Sequence, residues 1–194
     1  MTLFFLVRHG ETDWNREGKY TGQSDIPLNE TGRRQAGQAA DQLKPVEPDV
    51  IISSDLMRAL ETARVIAGAT GAPVIMDERL REIHQGEWEG LHVDEIKTRF
   101  NGLFNAREND PLDVSAPGGE SIGQVHKRVL DAARDICARY PREKVVVSAH
   151  GVVLAIMRIT SENQPIRRVF EFIPENAVIH QIELEEEDLW SINR

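Results

Sequence analysis

The sequence predicts an α/β chain folded as a three-layer α/β/α sandwich around a mainly parallel central sheet. Three observations predict it. Residues 3–7 and 144–148 carry apolar runs of strand length without polar alternation, as strands buried on both faces require. Short strands alternate with helical patterns along most of the chain, which is how βαβ units read. Both of the strongest strands stop at the same punctuation, His9-Gly10 and His150-Gly151, at the carboxyl edge where open α/β sheets bind ligands.

Residues 3–7 form the first strand, and Gly10 lets the chain turn away from its end. Residues 16–29 are a loop rich in glycine and polar side chains. Asn29 or Thr31 caps a helix to about Lys44, whose Ala36, Ala39, Ala40 and Leu43 make an apolar stripe; Pro45 and Pro48 end it. Residues 49–53 hold Val50-Ile51-Ile52, a second buried strand. Ser54 or Asp55 then caps a helix through Ala69, stopped by Gly71 and Pro73, and residues 74–76 form a third strand.

Residues 77–90 show no clear period. A short helix follows over 93–100, and residues 101–119, with Pro111, Pro117 and Gly118-Gly119, read as irregular. Ser121 and Gln124 fit a capping box that opens a long helix to Tyr140. After the strand at 144–148, residues 151–159 read as a helix. Residues 176–184 and 189–192 read as two final strands joined by the acidic turn 185–188, a solvated hairpin tip. No repeat or linker divides the chain, so residues 1–194 are expected to form one domain with a short cover segment at about 91–119.

Charge and cysteine content narrow the partners. A net charge of −9 argues against general nucleic-acid binding, which needs a basic face. The single cysteine, Cys137, falls on the apolar stripe of the long helix and reads as a small buried hydrophobe. The first apolar run is short and ends in Arg8-His9, unlike a signal peptide, and the longest uncharged stretch, 145–157, is too short for a bilayer. The expectation is a cytoplasmic protein, monomer or homodimer, with no membrane and no nucleic-acid partner.

The chemistry begins at Arg8-His9. Imidazole can act as a nucleophile, and guanidinium grips phosphate oxygens through a fixed fork of donors. A neighbouring arginine disfavours imidazolium, which keeps the ring neutral and able to attack. Arg58, in the first turn of the helix after the second strand, brings a second guanidinium to the same edge of the sheet. His150 repeats the logic of His9 on another strand. An acid in residues 78–90, Glu82 or one of its neighbours, could give a proton to a leaving oxygen. His9, His84, His92 and His150 with Glu82 match no compact metal-ligand spacing, so no metal and no cofactor is expected. His126 and His180 read as structural.

Residues 6–12, Leu-Val-Arg-His-Gly-Glu-Thr, together with Ser148-Ala149-His150-Gly151 resemble the histidine phosphatase superfamily, of phosphoglycerate mutase-like fold, over nearly the whole chain. The resemblance implies that His9 is the phosphorylated nucleophile and that Arg8, Arg58 and His150 complete the phosphate pocket. It implies Glu82 as proton donor and Asn15 as a phosphoryl contact. It also marks Thr21 and Gly22, with Gln23 beside them, as a substrate-side loop. His84 is expected to orient the site or line its rim. Glu120, within a Pro-Gly-Gly-Glu-Ser motif, either lines the pocket or merely leads into the Ser121 cap.

Resemblance to the superfamily's mutases weakens at Ile83, where they carry an arginine, and at residues 91–116, where they carry a longer basic insertion. A short cover with few cations favours a hydrolase, which must admit water. The expected activity is therefore metal-independent hydrolysis of small phosphorylated metabolites, with phosphoglycerate mutase as the alternative.

Overall fold

The computed structural model describes residues 1–186 and Leu189. Five strands form one sheet: β1 (Thr2–Arg8), β2 (Val50–Ser53), β3 (Val74–Met76), β4 (Lys144–Ala149) and β5 (Ile179–Leu184), in the order β3-β2-β4-β1-β5. β1 to β4 are parallel, and β5 pairs with β1 antiparallel. Adjacent residues of one strand feed opposite faces, as the pleat dictates. Phe4, Leu6, Val145 and Val147 pack under α6 (Ile122–Arg139) and α7 (Gly151–Ser161). Phe5, Val7 and Val146 pack under α2 (Glu30–Leu43) and α3 (Met57–Thr70), where Ala39, Ala40, Leu43, Ala63 and Ile66 fill the gap. Among the described residues, no helix is long and apolar enough to cross a membrane.

Register levels the strand ends. Arg8 pairs with Ala149, so His9 and His150 emerge level, and Ser53 pairs with Ser148, so Ser54 emerges one residue earlier, level with Ala149. The capping signals hold where they are local. Asn29 accepts from the Gly32 N–H to start α2, and Ser121 and Gln124 form the reciprocal box of α6. The start of α3 departs from expectation. Neither Ser54 nor Asp55 caps it; Asp25, far away in sequence, accepts from the Met57 N–H. Gly10 also has a different reason from the turn expected of it: a Cβ there would lie 2.3 Å from the Gly32 carbonyl oxygen, so this close approach of two backbones needs glycine.

The loop expected from residue 16 starts one residue later, because Asp13–Arg16 is a short helix, α1, opened by a Thr12–Asn15 capping box. Residues 77–90 contain two 3-10 turns, Glu78–Leu80 and Gly86–Trp88. α4 (Val93–Arg99) was expected, but α5 (Asn101–Asn109) replaces half of the segment read as irregular. These two helices close a small separate core of Trp88, Ile96, Phe104 and Ala116. The expected strand at 189–192 lies outside the described residues except for Leu189, which is buried in the main core. The turn at 185–188 is described only to Glu186.

Candidate active site

His9 leaves β1 almost fully buried. Its Nδ1 lies 2.7 Å from the Gly10 carbonyl oxygen, an acceptor only, so Nδ1 carries the proton. Nε2 is then the lone-pair nitrogen, and it accepts from Arg58 Nε at 3.3 Å. Burial, then Arg58, then Arg8 hold the imidazole pKa well below its ordinary value. The ring is thus neutral, with its nucleophilic nitrogen fixed in direction.

Arg58 is 1% exposed. Its Nη1 and Nη2 donate to the Ser24 and Gly22 carbonyl oxygens at 2.8 and 2.7 Å, which leaves Nε aimed at His9. Burial lowers its pKa to about 10, opposed by Glu82, Asp25 and Glu89. Arg8 Nη1 is tied to the Pro174 carbonyl oxygen. Gly22 has φ of +53° and a Cβ there would strike Glu89 Oε1 at 2.2 Å, so both conformation and contact demand glycine.

His150 stands beside His9, ring centroids 5.2 Å apart. Its Nε2 lies 2.9 Å from Ser54 Oγ, an oxygen that already accepts from the Leu56 N–H. No other acceptor for the Ser54 hydroxyl proton stands among the described residues, so the assignment that satisfies the hydroxyl has it donate to Nε2, with the His150 proton on Nδ1. That Nδ1–H and the Arg8 Nε–H are buried without a hydrogen-bond partner among the described residues. Buried donors are normally satisfied. Two such donors beside His9 suit the oxygens of an anion.

Glu82 reaches the same place from the 77–90 segment. Its Oε2 accepts weakly, at 3.4 Å, from the Val152 N–H in the first turn of α7, and lies 3.5 Å from where a Gly151 Cβ would stand, with Arg8 Cζ 3.7 Å from that point. Oε1 accepts from the Ile83 N–H. The neighbouring acids have other work. Glu89 accepts from the Gln23 and Gln85 N–H groups and from Ser24 Oγ, joining two loops, and Glu87 is exposed. The structure thus narrows the acids that sequence left open.

The remaining expected residues divide. The Gly22 carbonyl seats Arg58, as above, and Gln23 Nε2 donates to the Glu82 carbonyl oxygen. Thr21 Oγ1 is buried with no partner among the described residues. The Asn15 side-chain oxygen is used to cap α1 through the Thr12 N–H. His84 is half exposed, 3.6 Å from Glu89. Glu120 is engaged elsewhere: Arg128 takes both of its oxygens at 2.8 Å, and the His84 N–H takes one.

Arg128, which the sequence reading missed, is the brace of this loop. Its guanidinium also donates to the carbonyl oxygens of Arg79, Arg81 and Glu82. It looks like an ordinary helix arginine in sequence, and Glu120 stands eight residues before it and outside α6, so no i,i+3 or i,i+4 spacing pointed to the pair.

The chain matches the model of the histidine phosphatase superfamily, branch 1, over residues 4–194. It belongs to that superfamily. Among curated members, the probable phosphoglycerate mutase GpmB of Escherichia coli K12 is 36% identical, covering 98% of this chain and 88% of GpmB. The solved structure of Bacillus stearothermophilus YhfR is 36% identical with a TM-score of 0.86, covering 95% of this chain and 92% of YhfR. A mycobacterial glucosyl-3-phosphoglycerate phosphatase, solved with VO3, is 34% identical with a TM-score of 0.84, covering 92% and 90%. This superfamily member therefore has both a named phosphatase and a probable mutase among its relatives. Among its described residues, no group of three or more His, Cys, Asp or Glu side chains is placed to hold a metal ion.

The buried histidines give a pH expectation. His9 and His150 both have folded pKa values pushed down by burial and by the arginines, whereas in the unfolded chain they titrate near about 6.5. Below that value the unfolded state binds more protons, so stability falls as pH falls. The melting temperature of the native protein should drop as pH falls from 6.5, and the gap to His150→Gln should narrow along the way. A gap that stays constant from pH 7 to pH 5 would remove His150 from this account.

Proposed function

We propose that this chain hydrolyses phosphomonoesters through a phosphohistidine on His9, without a metal. The observation that carries the reading is the neutral His9 ring, its Nε2 lone pair held against Arg58. Nε2 attacks phosphorus in line with the ester oxygen. As the P–N bond forms, the P–O bond breaks and its electron pair goes to the leaving oxygen, which Glu82 protonates. Water then attacks phosphorus while the Glu82 carboxylate takes its proton, and the P–N electron pair returns to Nε2. Charge on the phosphoryl oxygens is met by donors already in place, Arg8, Arg58 and the His150 Nδ1–H, so little reorganisation is needed. Thr21, Gly22, Gln23 and Asn15 line the approach of a small phosphorylated metabolite, with His84 at the rim.

Hydrolysis is favoured over the mutase reaction by two features. Ile83 is buried in the main core, where the mutases place an arginine. The cations of the cover lie over aromatic rings: Lys97 over Phe104, Arg99 over Phe100 and Arg107 over Trp88. The relatives named probable phosphoglycerate mutase support the second reading, transfer of the same phosphoryl group between substrate hydroxyls. A screen of phosphomonoesters with a chelator present, run beside a 3-phosphoglycerate mutase assay, separates them. Phosphate release should exceed interconversion by orders of magnitude. Efficient interconversion of 2- and 3-phosphoglycerate with little free phosphate would establish the mutase instead.

A further inference from the structure

The peptide between His9 and Gly10 lies past the last paired residues of the sheet. β4 ends at Ala149, which takes the His9 N–H, and Gly151 already opens α7. The pairing of β5 with β1 ends at Ile179 and Val7. Two side chains take over from the strands. Asn176 Nδ2 donates to the His9 carbonyl oxygen at 2.8 Å, and the Gly10 N–H donates to Thr62 Oγ1 at 3.1 Å. We infer that Asn176 and Thr62 are a pair of positioning residues, which clamp this one peptide from both ends and so aim His9 Nε2 at phosphorus. The inference rests on the proposed role of His9 as nucleophile.

The first argument is the rigidity of a peptide. Its atoms lie close to one plane, so a hold on the carbonyl oxygen and on the N–H fixes the orientation of the whole unit. One corner of that plane is the His9 Cα, from which the imidazole hangs. The opposite corner is the Gly10 Cα, whose carbonyl oxygen receives the Nδ1 proton. A tilt of the plane therefore moves both the root of the ring and the acceptor that sets its rotation, and Nε2 moves with them.

The second argument is where Thr62 stands. It is fully buried in α3, one turn after Arg58. Its hydroxyl donates to the Arg58 carbonyl oxygen at 2.8 Å, which leaves a lone pair for the Gly10 N–H. The helix that brings Arg58 Nε to Nε2 thus also holds the peptide behind the ring. Nucleophile and phosphate donor are referred to one rigid element.

The third argument is the loop that carries Asn176. It is stapled to the end of β1: Arg8 Nη1 donates to the Pro174 carbonyl oxygen, and the Ala177 N–H donates to the Arg8 carbonyl oxygen at 2.8 Å. Ala177 has φ of +59°, a left-handed conformation that a residue with a Cβ adopts at a cost. Strain of this kind persists where surrounding contacts over-determine the backbone, and it clusters at functional sites. The His9 carbonyl only accepts, so it is the NH2 group of Asn176 that faces it.

The test is a set of single turnovers of an activated aryl phosphate with protein in excess. The limiting rate constant reports attack on phosphorus. The half-saturating protein concentration reports binding and the fraction of competent molecules. Thr62→Val keeps the shape of the side chain without its hydroxyl, and Asn176→Ala removes the amide. Each should cut the limiting rate roughly ten- to a hundred-fold, the scale of a misplacement of about 1 Å. Half-saturation should stay near the native value, because Arg8 and Arg58 keep their carbonyl partners. Thr62→Ser loses a buried methyl but keeps the hydroxyl, so it should restore most of the limiting rate while melting earlier than the native protein. The double variant should lose less than the product of the two single losses, because both bonds hold one plane. Unchanged limiting rates with raised half-saturation would mean that the two bonds only keep molecules folded, and would overturn the inference. So would a Thr62→Ser protein as slow as Thr62→Val, or a double variant that loses the full product. Turnover by His9→Ala would speak against the nucleophile reading alone. In that case nitrogen NMR of labelled histidine decides the clamp: Thr62→Val and Asn176→Ala should turn the fixed Nδ1–H form of His9 into a mixture of tautomers, and an unchanged spectrum ends it.

Discussion

His9→Ala should leave a folded protein with almost no turnover. If Nε2 forms the covalent bond to phosphorus, no neighbour can replace it. Arg8 and Arg58 are cationic donors, and the His150 lone pair is occupied by the Ser54 hydroxyl. The expected fall in kcat is on the order of 10⁴ to 10⁶, the scale seen when a covalent hydrolase loses its nucleophile. The fold should survive because the His9 side chain supports little of it. Nδ1 bonds only to the adjacent Gly10 carbonyl, and the His9 backbone oxygen keeps Asn176 Nδ2. Arg58 loses the acceptor for Nε but retains those for Nη1 and Nη2. An unsatisfied buried donor costs about 1–3 kcal/mol, within the margin of a typical domain. Phosphate release and thermal melting on the same preparation check both halves. Activity within tenfold of the native protein would show that His9 is not the nucleophile.

What sequence could supply depended on whether the deciding contact was local. β1 and β4 were legible because a strand buried on both faces has nowhere to put a polar residue. The α6 cap was legible because donor and acceptor are three residues apart. α3 was placed with the wrong cap because Asp25 arrives from another loop. α5 was read as irregular because Asn101, Gly102, Asn105 and Asn109 are weak helix formers and only Phe104 and Arg107 on it are buried. Tertiary packing against Trp88 decides that segment, and no local pattern reports it. The antiparallel course of β5 was likewise set by its partner β1.

The site divides the same way. Arg8, His9 and His150 could be read from strand ends, because register alone brings them level. Arg58 needed only its place in the first turn of α3. The acid was ambiguous, since a sequence of alternating glutamates does not say which ones are already engaged. The structure separates them by place: Glu89 joins two loops and Glu120 is paired with Arg128, while Glu82 faces Arg8 and the start of α7. Arg128 was invisible as a bracing residue because its partners, three loop carbonyl oxygens and the Glu120 carboxylate, lie outside its own helix.

Glu82→Gln should fail in a way that depends on the leaving group. The amide keeps the size of the side chain, and its single oxygen can still accept from one of the Ile83 and Val152 N–H groups, which the carboxylate meets with different oxygens. It cannot give a proton to a departing alkoxide or take one from water. General acid–base catalysis is typically worth about 10² to 10⁴ in rate. An alkyl phosphate, whose alkoxide is a poor leaving group, should lose that full factor. An activated aryl phosphate should lose much less in the first step, because its phenolate departs unaided. Water attack on the phosphohistidine still lacks its base, so the intermediate should accumulate on His9 with the aryl substrate. Rapid quenching with labelled substrate should then trap phosphate that is acid-labile and base-stable, and His9→Ala should trap none. Equal losses for both leaving groups, with nothing trapped, would remove Glu82 from the acid–base role. Because Glu89 and Glu120 are held by backbone and Arg128, exposed Glu87 would be the next acid to replace.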